Sequence, residues 1–112
     1  DAETRGLVVL DGPNSDVYSI TTLMVAGSNM MIFTTGIGTA AGAPLVPTVK
    51  VTANKRTYER MKENIDILVS EKDIEKPQGI LEKIVSYANG KKTKAEILGH
   101  CEMFIPLQGV TF

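Results

Sequence analysis

The residues best suited to binding an anion lie together in segment 34–42, which combines closely spaced glycines with threonines. They are Thr34, Thr35, Gly36, Gly38, Thr39 and Gly42. Glycines spaced this closely allow backbone N–H groups to approach an anion, and threonine hydroxyls supply further hydrogen-bond donors. The segment therefore predicts an anion-binding loop. A glycine loop that only makes a tight turn is the alternative.

The glycine spacing in this loop argues against a nicotinamide cofactor. The pattern is G-x-G-x-x-x-G, and Pro44 and Pro47 follow it where the dinucleotide fingerprint requires a helix. Residues 54–58 also lack the acidic side chain that would hold a ribose hydroxyl. We expect no dinucleotide at this site.

Lys50 is the most informative single charge in the sequence. It lies in the middle of segment 48–52, where alternation places it on the same side as Thr48 and Thr52. A lysine there could supply positive charge to an anion site. The alternative is an exposed edge strand, where lysine prevents aggregation.

Composition limits the class of protein. The chain has 112 residues and a net charge of −1, so we predict a single domain over residues 1–112 that binds neither nucleic acid nor an anionic membrane. No charged residue lies between Asp16 and Lys50, but this segment contains no uninterrupted apolar run long enough for a membrane span. Cys101 is the only cysteine, which favours a reducing compartment and predicts a cytoplasmic protein.

The first half of the chain is predicted to form a strand, a helix and a second strand. Residues 6–10 are continuously apolar, and Ser15 or Asp16 can cap a helix that ends at Gly27. Residues 30–33 form a further apolar run and are predicted to be a strand covered on both faces. This order predicts a βαβ unit with parallel strands.

The second half is predicted to alternate strands and helices. Strands are expected at 48–52 and 67–69, with a helix capped by Asn54 between them. Further helices are predicted from Pro77 to Asn89, and from Thr93, which forms a capping box with Glu96, to Gly99. The apolar positions of the first of these two helices are Ile80, Leu81, Ile84, Val85 and Ala88. Residues 101–112 are expected to pack as an extended tail. The fold class is α/β, a three-layer α/β/α Rossmann-like domain with a small, mainly parallel sheet.

Several of these segments, taken in order, resemble a known enzyme family. They are residues 6–11, 25–27, 33–39, 47–51, 54, 58–61, 88–93 and 104–106. The chain is similar over nearly its whole length to the C-terminal portion of the altronate dehydratase family. That family also includes galactarate dehydratase and the large subunit of sulfolactate sulfo-lyase.

The resemblance implies one domain of a larger sugar-acid dehydratase, inactive alone, whose other domains lie N-terminal to it. Such enzymes use a divalent metal, usually iron or manganese, to eliminate water from a hexarate or hexonate and form a 2-keto-3-deoxy acid. The reaction needs a base, a cation that stabilises the enediolate, and an acid for the leaving hydroxyl. The catalytic residues are not identified, the metal ligands are expected outside this chain, and a homo-oligomer is possible.

The resemblance also assigns the site residues. It implies that Thr34, Thr35, Gly36, Gly38 and Thr39 contribute to the substrate or metal pocket. Lys50 would add positive charge, and Asn54 would begin the helix beneath the pocket.

The chain departs from the family pattern at two places. Ile37 replaces a common arginine, which removes a bidentate carboxylate clamp. Leu68, Val69 and Ser70 stand where Asn-Ala-Gly is common. These departures support a second hypothesis, a non-catalytic module for assembly or small-anion binding.

Overall fold

The computed structural model describes residues 5–105. The helices are α1 (Asp16–Val25), α2 (Lys55–Arg60), α3 (Glu71–Glu75), α4 (Gln78–Ala88) and α5 (Lys94–Leu98), and the strands are β1 (Met31–Thr34), β2 (Thr48–Thr52) and β3 (Ile67–Leu68). None of the helices in this range has the length and apolar character needed to cross a membrane.

The three strands form one parallel sheet in the order β1, β2, β3. Met31 pairs with Thr48, and Val51 pairs with Ile67. Every residue of the central strand β2 is buried. The predicted small α/β domain with a parallel sheet is therefore confirmed.

The two faces of the sheet are covered by different helices. Met31 packs in one apolar cluster with Ile20 and Met24 of α1. Thr48 pairs with Met31, and side chains alternate along a strand, so Val49 faces the opposite side of the sheet. Val49 packs there in a second cluster with Tyr87 of α4. Helices therefore lie against both faces.

Local capping signals are confirmed at α2 and α5, whereas Ser15 precedes α1 without a side-chain capping hydrogen bond. The Asn54 side chain accepts a hydrogen bond from the Thr57 N–H, and the Thr93 and Glu96 capping box is formed at α5. The short helix α3 was not predicted, although Ser70 and Asp73 form a capping box there.

The predicted first strand at residues 6–10 is wrong. This segment pairs with no strand within residues 5–105, and Leu7 and Val9 are 98% and 89% exposed. The predicted βαβ unit is therefore not formed. A short apolar run predicts burial but does not identify the neighbour that a strand needs for its hydrogen-bond ladder.

Two burial predictions also need correction. Strand β1 is not covered on both faces, because it is at the sheet edge and Ile32 is 50% exposed. In α4, Ile84 packs against the second cluster as predicted, but Leu81 and Val85 are 52% and 45% exposed, and the buried residue of the helix is Tyr87. A helix can cover only as much sheet as lies beneath it, and here β3 is two residues long.

The tail packs on α1 as far as the structure describes it. The Phe104 N–H donates to the Thr21 hydroxyl at 3.1 Å, and the Phe104 ring meets Tyr18 edge-on. The rest of the predicted extended tail, residues 106–112, lies outside the described residues.

Candidate functional site

A cleft of about 570 Å³ opens where β1 and β2 end. Its lining comes from the ends of the strands and the segments that follow them: Thr34, Thr35, Gly36, Val51, Thr52, Ala53, Asn54 and Val69. The carboxyl edge of a parallel sheet is where open α/β folds bind ligands, and the volume is in the range of small-molecule sites.

The structure brings together four of the residues that the sequence assigned to a site. Thr34, Thr35, Gly36 and Asn54 line the cleft. Gly38, Thr39 and Lys50 are not in its lining. Their roles in a substrate site stay predictions.

Two carbonyl groups of the glycine loop, those of Gly36 and Ile37, contact α2 and its N-cap residue. The Gly36 carbonyl accepts hydrogen bonds from the Thr57 hydroxyl at 2.7 Å and the Asn54 side-chain amide at 3.2 Å. The Ile37 carbonyl accepts one from the Arg60 guanidinium at 2.7 Å. These contacts hold the loop against the helix that follows β2.

Several backbone N–H groups of residues 34–43 are already bonded within the chain. Gly38 donates to the Thr35 hydroxyl at 2.9 Å, Gly42 to the Glu102 carboxylate at 3.0 Å, and Ala43 to the Thr48 hydroxyl at 3.2 Å. Because each N–H carries one hydrogen, these groups are not open to an anion. Among the residues that line the cleft, Thr34, Thr35 and Asn54 carry polar side chains, as does Thr52, whose hydroxyl accepts from the Asn54 N–H at 3.1 Å.

Lys50 lies in the framework behind the loop. Its side chain is fully buried in the central strand, which excludes the edge-strand alternative. The ammonium donates to the Ala40 carbonyl at 2.8 Å and the Ala41 carbonyl at 3.3 Å. Burial lowers the pKa of Lys50, and the carboxylates of Asp66 and Glu102 partly offset this. The ammonium thus fixes the glycine loop from behind.

Asp66 joins β2 and α5 through its backbone and its carboxylate. One carboxylate oxygen accepts from the Lys50 N–H and the other from the Lys94 N–H, both at 2.8 Å. The Asp66 N–H in turn donates to the Lys50 carbonyl at 3.0 Å. The residue therefore ties β2 to the start of α5. The sequence contains no local signal for this role.

Glu102 is a second loop anchor that sequence reasoning did not find. Its carboxylate accepts from the Gly42 N–H and lies 3.0 Å from Nδ1 of His100. Burial alone would raise the pKa of Glu102, but the hydrogen bonds from Gly42 and His100 together lower it. Glu102 and Gly42 are far apart in sequence, so no motif connects them.

Metal-ligand geometry is absent from the part of the chain that the structure describes. No three His, Cys, Asp or Glu side chains converge there as a potential metal site. The residues around the cleft are threonines, an asparagine and apolar groups, which are poor ligands for iron or manganese. These residues do not fit the expected metal.

The fold and the cleft define a small parallel α/β domain with a cleft at the carboxyl edge of its sheet. A model of the family described as D-galactarate/altronate dehydratase, C-terminal, matches residues 1–111. The chain belongs to this family and corresponds to its C-terminal domain.

Named relatives include a lyase and two dehydratases. The chain is 35% identical over 106 residues to the (2R)-sulfolactate sulfo-lyase subunit beta of Chromohalobacter salexigens, covering 89% of this chain and 27% of that protein. It is 34% and 36% identical to the altronate dehydratases of Bacillus subtilis and Escherichia coli, covering 97% of this chain and 23% of each. The chain thus spans about a quarter of the length of these relatives. No solved structure matches significantly.

Proposed function

We propose that this chain is the C-terminal domain of a sugar-acid dehydratase of the altronate or galactarate type. In this proposal a larger protein, called the parent enzyme below, supplies N-terminal domains, and the chain alone is inactive. The parent enzyme eliminates water from a hexonate or hexarate to form a 2-keto-3-deoxy acid. The family match over residues 1–111 and the small share of each relative that the chain covers support this proposal.

The cleft at the ends of β1 and β2 is the observation that carries the proposed role in binding. It presents hydroxyl and amide groups from Thr34, Thr35 and Asn54 beside the apolar side chains of Val51 and Val69. Such groups suit a polyhydroxylated substrate, because each hydroxyl can both donate and accept a hydrogen bond. The cleft is open, so we propose that other domains complete it.

Within this chain, we propose that Thr35 and Asn54 bind and orient the substrate. Thr35 accepts from the Gly38 N–H, which leaves its own hydroxyl proton free to be donated to a substrate oxygen. Asn54 is held by the Thr57 N–H and the Gly36 carbonyl, so its position at the cleft is fixed. The base, the acid and the divalent metal, iron or manganese, are proposed to come from the other domains.

The cellular location is also part of the proposal. A cytoplasmic enzyme is supported by the single cysteine, Cys101, which is free and exposed.

A second candidate is a non-catalytic module for assembly or anion binding. One observation favours it. Ile37 of the glycine loop is 81% exposed, and it stands where the resembled family commonly has arginine. An apolar side chain there cannot hold a substrate carboxylate. An exposed apolar residue is instead suited to a contact with another protein surface.

Steady-state assays of the parent enzyme separate the two candidates. Purified parent enzyme, supplied with iron or manganese, would be assayed with altronate, galactarate and (2R)-sulfolactate, and the 112-residue chain would serve as the matched control. The dehydratase proposal predicts turnover of altronate or galactarate by the parent enzyme and none by the chain. Absence of turnover with all three substrates would favour the non-catalytic module.

A further inference from the structure

A second cleft, of about 370 Å³, lies between α2, β3 and α4 and shares no lining residue with the first. Its walls include the rings of Tyr58 and Tyr87, the side chains of Lys83 and Lys91, and Asp66. The proposed dehydratase function does not use this cleft.

The α4 side of the cleft is a stripe of residues spaced four apart. Lys83, Tyr87 and Lys91 therefore fall on one side of the helix and its C-terminal extension. The Lys91 N–H donates to the Ser86 carbonyl at 3.1 Å, which keeps Lys91 close to the helix after Ala88. Its ammonium lies 4.7 Å from the centre of the ring of Tyr87, a buried residue.

The positive charges of this cleft have few counter-charges. Asp66 is the carboxylate in the lining, and both of its oxygens accept backbone N–H groups at 2.8 Å. Within residues 5–105, neither Lys83 nor Lys91 has a carboxylate within ion-pair distance. Asp73 acts on Lys83 only through longer-range attraction.

A third ammonium lies on the α2 side. Lys94 places its Nζ 5.6 Å from the centre of the Tyr58 ring and donates to the Ile65 carbonyl at 2.7 Å. The cleft lining thus holds two ammonium groups and one carboxylate, and the Lys94 ammonium, which the carbonyls of Lys62 and Ile65 hold, lies beside the Tyr58 ring, in a chain whose net charge is −1. This local excess attracts anions.

We propose that the cleft lined by Tyr58, Tyr87, Lys83 and Lys91 binds a small organic dianion of the phosphate-monoester class. A phosphate group carries close to two negative charges and several acceptor oxygens, which match the two unpaired ammonium groups. The tyrosine rings provide flat walls for the organic part. The volume of the cleft is sufficient for a small metabolite.

An NMR titration of the 112-residue chain with inorganic phosphate tests this proposal. At about pH 8, where phosphate is mainly a dianion, saturable shifts are expected for the amides of Leu68, Tyr87 and Lys91. A sodium chloride titration at matched ionic strength serves as the control. Replacing Lys83 and Lys91 together by alanine is expected to weaken binding by about 100-fold, roughly tenfold for each charge-assisted hydrogen bond.

Two further variants make the result decisive. The double Lys83→Arg, Lys91→Arg variant keeps both charges and is expected to bind. The double Lys72→Ala, Lys76→Ala variant, which removes exposed lysines elsewhere, is expected to bind like the unmodified chain. The proposal is overturned by shifts that do not saturate, by equal shifts with chloride, or by a double Lys83→Ala, Lys91→Ala variant that folds and binds phosphate as well as the unmodified chain.

Discussion

The ammonium of Lys50 lies 2.8 Å from the carbonyl oxygen of Ala40, so a cation of the central strand holds the glycine loop from behind. A second carbonyl, from Ala41, lies 3.3 Å from the same nitrogen. The lysine is fully buried and is absent from the cleft lining. A buried cation that does not face the cleft therefore holds the later part of the glycine loop.

Replacing Lys50 by methionine is expected to destabilise the chain by about 1–3 kcal/mol. Methionine keeps most of the volume, but the carbonyl groups of Ala40 and Ala41 lose their charged donor inside the protein. Denaturant unfolding would measure the change in the free energy of unfolding. Lys55→Met, at an exposed position of α2, is the control and should change it by less than about 0.5 kcal/mol. A Lys50→Met variant as stable as the control would show that the loop does not depend on this cation.

Gly42 is predicted to be intolerant of even one added methyl group. A Cβ at this position would lie 2.6 Å from the Cβ of Ala95 and 2.8 Å from the His100 carbonyl oxygen. Overpacking of this kind should cost Gly42→Ala about 1–3 kcal/mol of unfolding free energy. Thermal unfolding would reveal the loss.

The same substitution at Gly79 is the matched control for Gly42. Gly79 lies in α4, and a Cβ there would meet nothing within 4 Å. Gly79→Ala should therefore stabilise the chain by about 0.5–1 kcal/mol, because alanine has the better helix propensity. Equal effects at the two glycines would contradict the close packing of the loop against α5.

Glu102 is expected to make stability depend on acidic pH. Its folded-state pKa is lowered from 4.5, so its contribution is present above pH 4.5 and is lost as the pH falls through the folded-state pKa. Glu102→Gln should be less stable than the unmodified chain at neutral pH, and the difference should shrink in acid. Denaturant unfolding across the acidic range measures this.

The exposed Glu75 provides the comparison for Glu102. Glu75→Gln, at an exposed position of α3, should change the free energy of unfolding at neutral pH by less than about 0.5 kcal/mol. If the difference between Glu102→Gln and the unmodified chain stayed constant down to low pH, the Gly42 and His100 contacts would not be holding a carboxylate.

Asp66→Asn is expected to reduce stability by about 1–3 kcal/mol. Both carboxylate oxygens accept backbone N–H groups, from Lys50 and Lys94, and an amide would turn a donor toward one of them. Hydrogen exchange at the Lys50 and Lys94 amides would report the change directly. Unchanged protection from exchange at both amides would contradict the proposal that the Asp66 carboxylate connects β2 to α5.

Local signals predicted much of the fold because their causes are local. The Asn54 cap and the Thr93 and Glu96 capping box involve groups three residues apart, so a short motif contains all the partners. The alternation of residues 48–52 likewise predicted β2 correctly. Residues 6–10 failed because their apolar run has no strand beside it in the described part of the chain.

The framework of the cleft could not be predicted because its contacts join distant residues. Glu102 reaches Gly42, Arg60 reaches Ile37, and Lys94 reaches Asp66 across long stretches of chain. The sequence indicates that Lys50 is unusual, but it does not show whether the ammonium faces a ligand or a carbonyl group. Thr34, Thr35, Gly36 and Asn54 were predictable as cleft residues because strand ends meet at one edge of a parallel sheet.

The most direct test of the central claim is the kcat/KM of the parent enzyme carrying Thr34→Val. Thr34 is exposed at the cleft, so the variant should fold normally and lose only a hydrogen bond to the substrate. Thr22→Val on α1, away from the cleft, is the matched control. We predict a fall in kcat/KM of about tenfold or more for Thr34→Val and little change for Thr22→Val. An unchanged kcat/KM for Thr34→Val would contradict a substrate site in this cleft.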